Sequence, residues 1–250
     1  MLKNERHHFI LEKLRLDNKV LSNALSQELQ VSEDTIRRDL RELAESGQIR
    51  KVHGGAIPRS PVPFNFTERV NLSQGDKQHI VQKALRFIEP GQVLMLDGGT
   101  TNQQLARQLP SHLDITVYTN SLPVAFELLH HPAAEVVLLG GKLMKDSQAT
   151  TGLEVIEAVH TVWADILMLG ICSLHSKVGI TLPYREEAQV KAAMIQSARQ
   201  VMALATSDKL ETAESYIVGA MDQIDVLVTD EKINPRYKHL YEQFGILVIS

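Results

Sequence analysis

Apolar residues recur at helical spacing near the start of the chain. Ile36, Leu40 and Leu43 fall at positions i, i+4 and i+7, which predicts one buried stripe on a helix. Ser32 suits the N-cap of this helix, and Gly47 suits a left-handed end. The pattern therefore predicts a short amphipathic helix with one buried face and one exposed face.

The exposed face of this helix is rich in arginine. At about 100° per residue, Arg38, Arg41 and Asp34 point away from the apolar stripe, and Arg37 and Thr35 lie on its shoulders. A helix anchored on one side and carrying arginine on the other is typical of a DNA recognition helix. The alternative is a solvated helix whose arginines only pair with neighbouring acids.

Two helices are predicted before this one, at Lys3–Leu16 and Leu21–Leu29. Only two residues separate the second of them from Ser32, which is the tight joint of a helix-turn-helix. His7 and His8 are expected to be surface groups, because no cysteine or carboxylate accompanies them at ligand spacing. The sequence therefore indicates a three-helix unit without a metal site.

A basic hairpin is predicted directly after the arginine-rich helix. Residues 49–52 alternate apolar and basic side chains, and two glycines then reverse the chain into residues 56–57. Helix, tight joint, capped helix and hairpin together predict a winged helix-turn-helix over residues 1–57. The candidate DNA-binding residues are Ser32, Asp34, Thr35, Arg37, Arg38, Arg41, Arg50, Lys51 and His53.

Length and charge are consistent with two domains of different character. The chain has 250 residues and a net charge of -4. Eleven Lys and Arg face nine Asp and Glu through Arg59, so the first part is mildly basic and the remainder acidic. A single cysteine and the lack of a long apolar run favour a reducing cytoplasm and no membrane span.

Residues 58–72 are predicted to form an extended linker, because Pro58, Pro61 and Pro63 place three prolines within six residues. In residues 73–250, helical patterns alternate with short uninterrupted apolar runs, which predicts a mostly parallel, Rossmann-like α/β sheet covered on both faces. Strands are expected at 93–97, 115–119, 136–139, 166–169, 201–205, 226–229 and 246–249, and helices at 74–88, 101–109, 123–130, 153–159, 186–198 and 235–243.

Glycine, hydroxyl and lysine residues follow several of these strands, where an open parallel sheet forms its ligand crevice. The strongest signal is Asp97-Gly-Gly-Thr-Thr101, which places two glycines and two hydroxyls at the start of a helix. Such a turn can bind a phosphate through backbone N–H groups. It matches neither a Walker loop nor a dinucleotide fingerprint, and a plain strand-to-helix turn is the alternative.

These residues carry a family resemblance. Ser32 to Leu40, the Gly47 stop and the Val52-His-Gly-Gly-Ala56 segment resemble the signature of the DeoR family of bacterial repressors. The resemblance implies a winged helix-turn-helix joined to a sensor domain that is similar to ribose-5-phosphate isomerase. It implies a phosphorylated sugar or related metabolite as effector, double-stranded DNA as partner, no cofactor and no metal, and a homodimer or homotetramer.

The resemblance extends through the second half of the chain and supplies its candidate effector residues. These are Asp97, Gly98, Gly99, Thr100, Thr101, Asn120, Ser121, Gly141, Lys142, Gly170, Thr181, Glu187, Lys191 and Lys209.

The chain departs from the resemblance in two places. Gly170-Ile-Cys-Ser-Leu stands where the isomerases carry acidic residues, and Thr206 stands where the family usually has Asp before its lysine. An isomerase needs a carboxylate base over the sugar carbon, so catalysis is not expected. We expect a DNA-binding repressor of carbohydrate metabolism genes. The alternatives are an isomerase-like enzyme with an accessory head, and a winged helix used only for protein contacts.

Overall fold

The computed structural model describes residues 1–17 and 19–250. Its N-terminal elements, in chain order, are α1 (Lys3–Asp17), β1 (Val20–Leu21), α2 (Ser22–Leu29), α3 (Glu33–Glu45), β2 (Ile49–Val52) and β3 (Gly55–Pro58). β3 pairs antiparallel with both β1 and β2, and the β2–β3 hairpin is the predicted wing. We call this unit, residues 1–57, the head.

The core of the head contains the predicted apolar stripe of α3. Ile36, Leu40 and Leu43 are buried against Ile10 of α1 and Leu25 of α2. The left-handed backbone of Gln30 ends α2 and lets α3 begin after Ser32. The helix-turn-helix therefore forms as the periodicity predicts.

The start of α2 differs from the prediction. Leu21 does not begin the helix but lies in β1, pairs with Gly55 and is half exposed. A Cβ on Gly55 would lie 1.9 Å from the carbonyl oxygen of Val20, so this close approach requires glycine. Because Leu21 pairs with Gly55, it lies in a strand, although helical spacing alone assigns it to α2.

The segment 58–72 contains a helix that the sequence does not predict, α4 (Phe66–Val70). The side chain of Asn65 accepts the N–H of Thr67 at 2.9 Å and caps this helix, and Phe66 is buried. Five residues are too few for apolar periodicity to show in the sequence. The segment is therefore only partly the extended linker that its prolines predict.

The remaining chain alternates helices and strands. Its helices are α5 (Gln74–Ala84), α6 (Thr100–Gln108), α7 (Leu122–Leu128), α8 (Leu153–His160), α9 (Arg185–Gln196) and α10 (Pro235–Glu242). Its strands are β4 (Val93–Leu96), β5 (Ile115–Thr119), β6 (Ala134–Leu138), β7 (Lys142–Met144), β8 (Ala149–Thr151), β9 (Ala164–Gly170), β10 (Ser173–His175), β11 (Gly179–Leu182), β12 (Ala198–Leu204), β13 (Tyr216–Gly219), β14 (Val226–Val228) and β15 (Leu247–Ile249).

Within the described residues, seven strands form a parallel sheet in the order β15-β14-β12-β9-β4-β5-β6. Buried apolar clusters cover both faces of this sheet, which confirms the predicted α/β class. From β4 the chain moves outward through β5 to β6, and it then returns to the other side of β4 at β9. The strand order therefore reverses between β4 and β9.

Two small antiparallel additions were not expected from the sequence. β10, β11 and β13 form one sheet, and β7 and β8 form a hairpin. Their strands are three or four residues long, too short for a two-residue alternation to stand out. Both additions follow strands of the main sheet and help to enclose its carboxyl end.

Candidate functional site

The recognition helix begins at the predicted cap. The Oγ atom of Ser32 accepts the N–H of Thr35 at 3.2 Å, and the two hydroxyl oxygens lie 2.9 Å apart. Arg37 pairs with Glu33 at 3.0 Å and approaches Asp34 at 3.6 Å. These contacts keep Arg37 along the helix surface.

The other candidate basic residues of the head differ in solvent exposure. Arg38 and Arg41 of α3, and Lys51 and His53 of the wing, are exposed. Arg50 is half-buried, where burial and Arg59 lower the pKa of its guanidinium and Glu214 opposes that shift. The structure therefore does not bring Arg50 to the exposed surface of the other candidates.

Asp39 is a buried residue on α3 that the sequence reasoning overlooked. Its carboxylate accepts two hydrogen bonds from Arg6 of α1, at 2.7 and 3.0 Å, and approaches His7 Nε2 at 3.2 Å. The expectation that His7 lacks a carboxylate neighbour is therefore wrong. His7, Asp39 and Glu42 offer potential ligand atoms within 4.8 Å of one another, but Arg6 and Lys3 already pair with the two acids.

A pocket opens at the carboxyl ends of β4 and β9, where the strand order reverses. This reversal is the usual position of a ligand crevice in an open α/β sheet. The structure places these predicted effector residues around it: Asp97, Gly98, Gly99, Thr100, Thr101, Asn120, Gly170, Glu187, Lys191 and Lys209.

The glycine turn after β4 brings bare backbone to the pocket. Gly99 has φ of 138°, a conformation that side chains disfavour, and stands at the N-cap of α6. A Cβ on Gly170 would lie 2.6 Å from the carbonyl oxygen of Gly98, so the ends of β4 and β9 can meet only with glycine there. The positive end of the α6 dipole consequently faces the pocket without an intervening side chain.

One wall of the pocket is an ion pair between Asp97 and Lys191. Asp97 also accepts the N–H of Gly170 at 3.1 Å, and Lys191 donates to the Gly170 carbonyl at 2.9 Å. Burial raises the pKa of the nearby Glu187 carboxyl. The polar groups of this wall are buried, and they can accept hydrogen bonds from ligand hydroxyls or donate hydrogen bonds to them.

A second part of the pocket is positively charged. Lys209 is buried, donates to the Ile171 carbonyl at 2.9 Å, and has its pKa lowered to about 8 by burial and then by Arg69. Arg69 and Lys209, together with Thr100, also line an adjoining cavity that contains Lys77. Burial, followed by Arg69, lowers the pKa of Lys77 to about 8 as well.

Some predicted effector residues lie outside the pocket lining and have other contacts. The Oγ atom of Ser121 accepts the N–H of Val124 at 3.4 Å, and the hydroxyl of Thr181 accepts the N–H of Glu214 at 2.8 Å. Lys142 is exposed and pairs with Glu186 at 3.0 Å. A Cβ on Gly141 would meet the Thr151 carbonyl at 2.6 Å, so this glycine serves close packing. The structure therefore does not bring these four residues into the pocket lining, and their described contacts are with other parts of the chain.

Sequence reasoning missed lining residues from outside the strand ends. Phe64 and Arg69 come from the segment 58–72, Ser147 from the β7–β8 connection, and Tyr184 from the residue before α9. Asn65 as a cap before Phe66 is the one local signal of the helix that carries Arg69. Cys172 also lines the pocket, and burial raises the pKa of its thiol.

The segment that follows the head contacts the second half of the chain through Arg59. Its guanidinium pairs with Glu214 at 2.8 Å, and the Glu214 side chain is fully buried. The Pro58 carbonyl accepts the N–H of Ala213 at 3.1 Å. The end of the wing is therefore attached to the chain that follows Lys209.

A winged helix-turn-helix joined to an α/β domain with a polar pocket defines a DNA-binding transcriptional regulator with a ligand sensor. Residues 6–61 match the DeoR-like helix-turn-helix domain, and residues 73–231 match the DeoR C-terminal sensor domain. The chain belongs to the DeoR family.

Its relatives are named as regulators. The HTH-type transcriptional repressor GlcR of Bacillus subtilis (strain 168) is 35% identical over 248 residues, which cover 98% of this chain and 95% of that protein. The glycerol-3-phosphate regulon repressor of Escherichia coli (strain K12) is 30% identical over 231 residues, covering 92% of each. The family is one of regulators, and the enzyme alternative is not favoured.

Among solved structures, the full-length sorbitol operon regulator SorC from Klebsiella pneumoniae covers 94% of this chain and is itself covered to 98%. The two are 14% identical, with a TM-score of 0.43.

In the described part of this chain, none of the helices is both long enough and apolar enough to span a bilayer.

Proposed function

We propose that this protein is a repressor of carbohydrate metabolism genes and that a phosphorylated sugar or related metabolite releases it from DNA. Because its DNA partner lies in the cytoplasm, we assign it to that compartment. The division into a head at 1–57, a linker at 58–72 and a sensor at 73–250 is part of the proposal. The names of the relatives, one of them a glycerol-3-phosphate regulon repressor, support this effector class.

The observation that carries the proposal is the uneven charge of the pocket. Asp97, Glu187 and Lys191 supply hydroxyl-binding groups, whereas Arg69, Lys209 and the start of α6 supply positive charge. Among the described atoms, the buried Oδ1 of Asn120 has no hydrogen-bond partner. A molecule with several hydroxyls and one compact anionic group would satisfy both parts.

On the DNA side, we assign base contact to Arg38 and phosphate contact to Arg37, Arg41 and Lys51. Arg38 is exposed on the face opposite the buried stripe, where a recognition helix contacts base edges. Ser32, Asp34, Thr35 and His53 remain candidates at the rim, and Arg50 is the weakest of the set because it is half-buried beside Arg59 and Glu214.

We also propose that two heads bind one operator, as in a homodimer or a homotetramer. One head has a small excess of positive charge, so it can neutralise few phosphates, and linking two heads raises affinity without a new contact. Effector binding would then shift the population of oligomer arrangements in which both heads fit their half-sites. The stoichiometry of the operator complex tests this, and one chain per operator would contradict it.

The test of the proposed effector site is Gly99→Asp, with Gly99→Ala as its matched control. Both variants strain the backbone at a φ of 138°, but only aspartate adds negative charge at the proposed anion position. Two like charges about 4 Å apart repel by about 4 kcal/mol at an effective dielectric of about 20, which is several hundredfold or more in affinity.

We expect Gly99→Asp to bind operator and to lose its response to phosphorylated sugars, while Gly99→Ala keeps a measurable response. Operator binding is measured with and without phosphorylated sugars that raise the thermal stability of the wild-type chain. A normal response in Gly99→Asp would show that the loop is only a turn.

A further inference from the structure

The segment that joins the wing to the sensor passes over the effector pocket. After Pro58 it places Phe64 in the pocket lining, and Phe64 contacts the ring of Tyr184 edge-on with centroids 6.3 Å apart. Phe66 is buried, and its N–H donates to the Asp146 carbonyl at 2.6 Å. The segment is thus attached along its length to residues that surround the pocket.

Arg69, on α4 of this segment, reaches the positive part of the pocket. Its Nε atom is buried and finds no hydrogen-bond acceptor within residues 1–17 and 19–250. Arg69, Lys77 and Lys209 line the same adjoining cavity, so three basic groups converge here, and Arg69 contributes to the lowered pKa of both lysines. Asp208 is the acid that opposes the shift for both lysines.

This arrangement is unfavourable unless an anion joins it. A buried donor without an acceptor and like charges around one cavity both destabilise the folded chain. A phosphoryl group removes both penalties, because its oxygens accept from a guanidinium fork and its charge offsets the lysines. Arg69 is therefore suited to bind a phosphoryl oxygen rather than to close the pocket as an inert wall.

The same segment continues without a break into the wing. β3 ends at Pro58, and the next residue, Arg59, holds the buried Glu214 and approaches the Gly47 carbonyl at the end of α3 at 3.5 Å. The Arg59 guanidinium also lies 5.7 Å from the centre of the Phe64 ring. Contacts therefore run from Arg69 and Phe64 in the pocket to the end of the recognition helix.

We propose that the segment 58–72 is itself part of the effector site, with Arg69 as a phosphoryl-binding residue that makes linker position depend on occupancy. This inference rests on the proposed function, since it adds a binding residue and a route of regulation to the same pocket. The linker then joins the wing to the bound phosphoryl group directly, through a chain of eleven residues from Arg59 to Arg69.

The first test titrates inorganic phosphate into the full-length protein and follows thermal unfolding at constant ionic strength. We expect Arg69→Ala to lower phosphate affinity at least tenfold and Arg69→Lys, which keeps the charge but loses the fork, to lower it less. Arg86→Ala is the matched control, because it removes an exposed arginine outside the pocket lining and should bind phosphate as the wild type does.

The second test follows hydrogen exchange of residues 60–70 in the full-length protein. Phosphate should slow exchange in this segment in the wild type and in Arg86→Ala, and should leave it unchanged in Arg69→Ala. Unchanged exchange in the wild type at saturating phosphate would overturn the inference, because the linker would then not respond to occupancy.

Gly99→Asp separates the inference from the proposed function. If Arg69→Ala binds phosphate like the wild type and Gly99→Asp does not, the pocket binds the anion without the linker and only the inference fails. If Gly99→Asp also binds like the wild type, or if the wild type does not bind, the proposed effector site fails as well. If Arg69→Ala does not fold, the affinity of Arg69→Lys decides, and wild-type affinity there overturns the fork contact.

Discussion

The head and the sensor pocket both use positive charge, but they place it differently. On the head, Arg38, Arg41 and Lys51 are exposed and spread over α3 and the wing, where water screens each charge. Around the sensor pocket, Lys209 and the Nε atom of Arg69, from the segment 58–72, are buried, and buried charges interact strongly. Dispersed exposed cations suit an extended polyanion, whereas concentrated buried cations suit one small anion. Placement, more than number, thus distinguishes the two sites.

The largest effect that we expect is on stability, and it concerns the buried ion pair between Asp39 and Arg6 in the head. Asp39→Ala leaves Arg6 without its carboxylate partner beneath α3, and we expect the free energy of unfolding of the head to fall by about 3 kcal/mol. Urea unfolding of the full-length protein measures this change when limited proteolysis is used to monitor the unfolding of the head.

Asp34→Ala is the matched control on the same helix. Its side chain is 90% exposed and approaches Arg37 at only 3.6 Å, so its loss should change stability by no more than about 0.5 kcal/mol. Equal losses in the two variants would mean that burial does not set the strength of charge pairs in the head.

A smaller effect, on operator binding, distinguishes base contact from phosphate contact among the exposed basic residues of the head. Arg38→Ala should weaken operator binding by about 1–3 kcal/mol and relax the sequence preference, because a base-edge contact is lost. Lys51→Ala should weaken all sequences alike and reduce the salt dependence, because a phosphate contact is lost. Operator and random DNA are titrated over a range of salt concentrations. A uniform loss for Arg38→Ala would contradict the assignment.

The smallest effect is a pH dependence confined to the sensor. Lys209 faces Arg69, Lys77, Asp208 and Cys172, and its pKa of about 8 lies below the usual 10.5. A bound anion raises that pKa, so phosphate binding above pH 8 requires proton uptake. Phosphate affinity should therefore fall above pH 8, by up to about tenfold per pH unit for one lysine.

The stability of the free chain should respond in the opposite direction. Between pH 8 and 10.5 the unfolded Lys209 holds a proton that the folded one has lost, so this residue contributes rising stability with rising pH. Phosphate titrations and unfolding across this window measure both trends. Lys209→Met should bind weakly and have a shallower affinity slope above pH 8; an unchanged slope would exclude Lys209 as its source.

The sequence predicted the parts of the molecule that depend on neighbours along the chain. The Ser32 cap, the stripe that ends at Leu43 and the glycine turn at Gly99 are all local patterns, and each lies where it was expected. The alternation of apolar runs and helices likewise predicted the sheet, because both of its faces are covered.

The missed features depend on partners far away in the chain. Asp39 looks like one more exposed acid until Arg6 of α1 packs against it, and Leu21 fits a helix until Gly55 offers a strand partner. Arg69 belongs to a segment whose prolines indicate a linker, and its place in the pocket depends on α4 packing near α6. Such contacts follow from tertiary structure, which local propensity does not specify.

The tie between Asp39 and Arg6 has a mechanical consequence for regulation. With α3 fixed to α1 by a forked ion pair and by the shared core, the recognition helix cannot roll about its own axis independently of the head. Each head then moves as a rigid body, and its arginines keep one orientation relative to that body. In the proposed arrangement of two heads on one operator, regulation is a matter of the distance and angle between two rigid bodies, and the shape of the DNA-contacting surface stays constant.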